Sequence, residues 1–208
     1  MNLRTVRKSI GGPAGAIECA IDEPGQAVPH GLAVACHPHP LHGGTMDNKV
    51  VQTLARTFVE LGYSSVRFNF RGVGGSAGAW DEGRGEVDDA LAVIEAFGGS
   101  HRPLLLGGFS FGGYIAAQAA ARLAQYARPR RLVLIAPATS RFGMPAVAEG
   151  TVVVHGEADD VVPLSATLDW ARSQSLPVTV VPGAGHFFHG QLTLLKRLLL
   201  LALAPPPL

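Results

Sequence analysis

Cysteine is scarce in this chain. Cys19 and Cys36 are its two cysteines, and neither belongs to a paired spacing of the kind that binds metal or cycles through a disulfide. Residues 1–10 carry charge and lack the apolar centre of a secretory signal, so the expected compartment is a reducing cytoplasm. Long hydrophobic runs are missing too, and the longest, residues 198–204, is far short of a membrane span. Neither charge is in excess: 17 basic residues face 16 acidic ones without a basic block, so no nucleic-acid or membrane partner is expected. There is no internal repeat and no linker. What remains is 208 residues, 47% apolar and 16% charged, enough for one large core and too little for two. The expectation is one domain over residues 1–208, with 1–30 as N-terminal edge strands and 204–208 as a flexible tail.

Residues 3–21, broken by Gly11-Gly12-Pro13, read as an antiparallel strand pair. From residue 31 the style changes to apolar strands, the first, 32–36, a continuous apolar run as expected for a strand covered on both faces; further strands are read at 63–70, 104–109, 132–136, 151–154 and 177–181. Helical spacing lies between them. Thr45 or Asp47 caps a helix with Val51, Leu54, Phe58 and Leu61 on one face and Gly62 as its stop. Residues 85–97 carry Val87, Leu91 and Ile94 as a stripe, 114–124 is Ala-rich, another helix begins near Pro163, and the last carries Leu192, Leu195 and Leu199. The alternation predicts an α/β fold with a mostly parallel sheet of about seven to eight strands and helices on both faces. Ligands of such sheets bind outside the carboxyl ends of the strands.

The loops at those ends carry the chemistry. The run 104–109 leads through Gly108-Phe109-Ser110-Phe111-Gly112 into a helix, which is a nucleophile elbow: a tight turn pushes the serine hydroxyl out where the N–H groups of the incoming helix converge. Glycines at 108 and 112 allow strand and helix to approach where a Cβ would clash. A second copy, Gly74-Gly75-Ser76-Ala77-Gly78, lacks the strand before it and the helix after it, so Ser76 is the weaker nucleophile. Beyond Ser110, an acid and a histidine follow in the last two strand-end loops. Asp159 is preferred there over Asp160, a cap or solvated charge, and over Glu157; His186 is preferred over His189, read as capping or packing. The two N–H donors an acyl-transfer oxyanion requires are expected from Phe111 and from His39, which lies between Pro38 and Pro40 where no proline can donate. Cys36, His37, His39 and His42 cluster in sequence, but the prolines stiffen the segment and no second set of ligands completes a site, so no metal is expected. His37 is read as a structural hydrogen-bonder beneath the loop. Gly72-Val73-Gly74 with Ala77 opens no helix, so no dinucleotide or other cofactor is expected.

Five stretches together resemble the α/β-hydrolase superfamily, in particular the small lid-less bacterial hydrolases related to dienelactone hydrolase. They are residues 37–50, 68–76, 108–113, 156–163 and 183–190. The resemblance implies Ser110, Asp159 and His186 as the catalytic set, the same three that spacing selects. Only about a dozen residues, 139–150, follow the sixth strand where many members insert a cap, so no cap domain is expected. The site is then open and shallow, with Trp80, Phe142, Met144 and Phe187 as candidate walls. The expected function is a serine hydrolase of carboxylic esters with short acyl groups, acting on a small-molecule ester through an acyl-enzyme. A thioesterase, lactone hydrolase or peptidase with the same triad, and a non-catalytic binding module on this fold, are the alternatives.

Overall fold

The computed structural model describes residues 5–25, 28–99, 101–124 and 128–204; the expected tail beyond Ala204 lies outside them. Thr5–Gly12 (β1) and Gly15–Asp22 (β2) form the expected hairpin. Leu32–Cys36 (β3) follows, then a 3-10 turn at Pro40–His42, Lys49–Glu60 (α1) and Ser64–Phe68 (β4). Arg84–Ala96 (α2), Leu104–Phe109 (β5), Phe111–Leu123 (α3) and Arg131–Ile135 (β6) come next. Val152–Gly156 (β7), Leu164–Arg172 (α4), Thr179–Val181 (β8) and Leu192–Leu203 (α5) complete the chain.

The eight strands form one sheet in the order β1-β2-β4-β3-β5-β6-β7-β8. β1, β2 and β4 pair antiparallel and all later pairs are parallel. The alternation within each apolar run feeds two cores. Leu32, Val34 and Cys36 of β3 point to the side of α2 and α3, while Ala33 and Ala35 point to the side of α1 and α5. Both faces are covered, which is why β3, β5 and β6 read as largely apolar runs rather than alternating ones, while β4 carries Ser64, Ser65 and Arg67. Among the described residues no helix is long and apolar enough to cross a membrane.

Two local expectations need correction. The cap of α1 is Asn48, not Thr45 or Asp47: its side chain accepts from the N–H of Val50 at 2.9 Å and of Val51 at 3.3 Å. The strand expected over 63–70 covers only Ser64–Phe68: Asn69 N–H still donates to Glu18 O of β2, but Phe70 N–H turns to His37 Nε2. The connection from β6 to β7, residues 136–151, contains neither helix nor strand, so no lid rises over the carboxyl edge of the sheet.

Candidate active site

Ser110 sits at the turn from β5 to α3 with φ 56° and ψ −118°, a left-handed conformation that costs a non-glycine residue about 1–3 kcal/mol. Its surroundings hold it there. The Ser110 N–H donates to Ile135 O at 2.9 Å, and Ser110 O accepts from Gly113 N at 2.9 Å and Ala138 N at 3.2 Å. A Cβ at Gly108 would run into the Gly112 carbonyl, and one at Gly112 into those of Cys36 and His37. Strand, helix and the neighbouring β3 loop therefore approach at backbone contact, as the spacing of the two glycines predicts.

The Ser110 hydroxyl lies 3.0 Å from His186 Nε2, and His186 Nδ1 lies 2.7 Å from Asp159 Oδ2. A carboxylate at Nδ1 and a hydroxyl at Nε2 fix the tautomer: Nδ1 carries the hydrogen and Nε2 offers its lone pair to the serine. Oδ1 of Asp159 accepts from Val161 N at 2.9 Å and Val162 N at 2.7 Å. Burial pushes the Asp159 carboxyl up, but the bonds from His155, His186 and the Val162 N–H outweigh it and hold the group well below the usual carboxylate range. The loops of acid and base are laced together, since Ala158 N donates to Ala184 O and Gly183 N to Glu157 Oε2, both at 2.9 Å. Glu157 thus braces the histidine loop, while Asp160 is exposed. His189 is exposed against Phe187 and does not cap α5, whose capping residue is Gln191.

Phe111 opens α3, where a backbone N–H has no partner within the helix. The N–H of His39 has no hydrogen-bond partner among the described residues, while its carbonyl accepts from His42 N and Gly44 N. Both residues line one cavity of about 240 Å³ with Ser110 and His186. Its apolar walls are Phe142, Val161, Val162 and Phe187, and its further polar groups are His42, Asn48 and Arg141.

Residues 39–149 match the family described as serine aminopeptidase, S33. An alpha-beta serine hydrolase homologue from Coxiella burnetii is 41% identical, with 96% of this chain and 97% of that one covered and a TM-score of 0.86. A serine hydrolase without lid from Xanthomonas campestris is 38% identical with 99% of each chain covered, also at a TM-score of 0.86. A protein of Rickettsia prowazekii is 34% identical over 176 residues, 76% of this chain and 71% of that protein. The chain belongs to this family, within the α/β-hydrolase superfamily.

As an α/β serine hydrolase without a lid, the chain follows the expected fold and departs from the expected walls. Phe142 and Phe187 line the cavity, but Met144 packs into the core on the α2–α3 side, and Trp80 stands behind His39, their rings 4.4 Å apart. Arg141, Asn48 and the valines went unforeseen because loop side chains carry no periodic signal. His155 was also unforeseen. Fully buried at the end of β7, it directs Nε2 at Val162 O (2.9 Å) and at Asp159 Oδ2 (3.3 Å), both acceptors, so the hydrogen is on Nε2. The spacing of His155 and Asp159, four residues apart across a strand-end turn, is the signal that could have found it.

The other residues of the cysteine-histidine stretch diverge. Cys36 is buried, its thiol pushed up by burial, and His37 turns inward, with Nδ1 donating to Pro38 O at 2.7 Å and Nε2 accepting from Phe70 N at 3.0 Å. No group of three or more His, Cys, Asp or Glu that could hold a metal occurs among the described residues. A larger concavity of about 600 Å³ lies at the amino ends of β6 and β7, the wrong edge of the sheet for a ligand of this fold, and is lined by none of Ser110, Asp159 and His186.

Proposed function

We propose that the protein is a serine esterase that hydrolyses carboxylic esters with short acyl groups through an acyl-enzyme. The observation that carries this reading is the hydrogen-bonded chain from Ser110 through His186 to Asp159. In the proposed reaction His186 Nε2 takes the hydroxyl proton as Ser110 Oγ bonds to the ester carbonyl carbon. The oxyanion that forms is held by the N–H groups of Phe111 and His39. Asp159 stabilises the imidazolium without taking its proton. Collapse breaks the carbon–oxygen bond to the alcohol, which leaves with the proton from His186. Water then repeats the sequence on the acyl-enzyme, its proton passing through His186 to Ser110 and the acid being released.

A cavity of about 240 Å³ is smaller than the roughly 300–1,000 Å³ of pockets for drug-sized ligands, which supports small acyl groups. The family's description favours peptide cleavage from the amino end as a second reading. An aminopeptidase must hold a free α-ammonium, a task for a carboxylate, and among the described residues no Asp or Glu lines the cavity. The ester reading therefore stands first. The decisive assay is a chain-length series of 4-nitrophenyl esters, acetate to palmitate, on wild type and Ser110→Ala. Turnover confined to short chains is expected, with kcat/KM at least about 10⁴-fold lower in the variant, and a serine-reactive phosphonate should label Ser110. Equal turnover by the variant would refute the mechanism. Turnover of aminoacyl 4-nitroanilides without ester turnover would favour the peptidase.

A further inference from the structure

The proposed reaction makes no use of the charge on the cavity wall. Arg141 lies in the connection between β6 and β7, in a turn closed by its own N–H (3.2 Å) and that of Phe142 (3.1 Å) on Ala138 O. Its exposed side chain lines the cavity that holds Ser110 and His186. The Arg141 guanidinium has neither a hydrogen-bonded nor an ion-paired partner among the described residues. Among the described residues no carboxylate lines the cavity to neutralise it. The field reaches inward: His39 is held below its ordinary value by burial first, then by the charges of His42 and Arg141. Apolar surface flanks the guanidinium, with Phe187 43% and Val161 38% exposed at the mouth. An apolar wall beside an uncompensated cation fits a ligand with a short apolar body and an anionic end.

We propose that Arg141 is a specificity-determining residue that selects esters bearing a carboxylate. The inference rests on the esterase reading of Ser110 and names the substrate class that reading leaves open. A guanidinium suits this role because its planar fork meets a carboxylate with two parallel hydrogen bonds, and its exposure leaves room for the partner to enter from solvent.

The test compares two ester pairs on wild type, Arg141→Gln and Arg141→Lys. With 4-nitrophenyl hydrogen adipate and 4-nitrophenyl hexanoate the charge lies on the acyl side; with 3-carboxyphenyl butyrate and phenyl butyrate it lies on the alcohol side. In at least one pair the anionic ester should lose about tenfold in kcat/KM in Arg141→Gln, carried by KM. Neutral esters should change less than twofold, Arg141→Lys should keep part of the preference, and 0.5 M salt should shrink it in wild type. Equal effects on anionic and neutral esters, or no effect on either pair, overturn the proposal. If wild type turns over no ester at all, the esterase reading fails by itself. Calorimetric binding of free adipate then decides charge selection: about tenfold weaker binding in Arg141→Gln supports it, and equal or absent binding to both proteins overturns it.

Discussion

At the scale of single residues, two serines share one local pattern and differ in every bond they make. Ser110 Oγ faces His186 Nε2. Ser76 is buried and committed twice, donating to Asn69 O at 2.6 Å and accepting from Glu18 N at 3.0 Å, so it ties the loop after β4 to β2. Its proton is committed to the Asn69 carbonyl, with no base among the described residues placed to take it. Ser76→Ala should therefore keep ester hydrolysis within about twofold of wild type while lowering the free energy of unfolding in urea by about 1–2 kcal/mol, because a buried carbonyl and a part-buried N–H lose their partner. A folded Ser76→Ala protein without activity would move the nucleophile away from Ser110. The distinction was legible because it rests on local context, a strand before and a helix after. The support His155 gives Asp159 was harder to read, since the four-residue spacing places the two side by side but does not say which way the imidazole turns.

At the scale of elements, runs and periods identified the helices and the buried strands, and missed their ends. An element's interior is set by its own side chains, whereas its ends depend on distant partners. β4 stops at Phe68 because, although Asn69 N still bonds Glu18 O of β2, the Phe70 N–H is taken by His37 from the loop after β3. The order of the sheet is of the same kind: β4 lies between β2 and β3 through pairings such as Cys19 with Phe68 and Val34 with Val66, which no window of sequence contains. The cap of α1 shows the competition directly. Thr45, Asp47 and Asn48 are all capping types; Asp47 is engaged by Arg7 and Arg67, Thr45 Oγ1 accepts only from Asp47 N at 3.3 Å, and Asn48 is left to face the helix. Asn48→Ala should cost about 1 kcal/mol of stability and Thr45→Ala less than about 0.5 kcal/mol, both read from urea midpoints at constant slope. The reverse ranking would return the cap to Thr45.

At the scale of the whole molecule, the loops at the carboxyl edge of the sheet are fastened to one another, and one fastening, between the loops after β3 and β4, titrates. His37, fully buried, bonds the Pro38 carbonyl and the Phe70 N–H, joining the loop after β3 to the chain leaving β4. Burial pushes its ring down from an ordinary 6.5 to about 4, against the Pro38 carbonyl, which pulls it up. The unfolded chain therefore binds a proton between pH 6.5 and 4 that the folded protein refuses. Stability from this group is complete above pH 6.5, falls as the pH drops towards 4 and levels off below it, a loss of about 3 kcal/mol at about 1.4 kcal/mol per pH unit. His39, half-buried and lowered for the same first reason, acts in the same direction. Asp159 acts in a separate, lower window: its carboxyl is also held down, so its contribution persists until the pH falls below the ordinary carboxylate value near 3.8. Urea unfolding of wild type at pH 8, 6.5, 5 and 4 should show the first loss before any carboxylate titrates. His37→Gln should be less stable than wild type at pH 8 and should lose most of the slope between pH 6.5 and 4, so that the two proteins converge in acid. Parallel pH profiles, with the variant lower by a constant amount, would mean that the proton enters elsewhere and that His37 is only a spacer beneath the site.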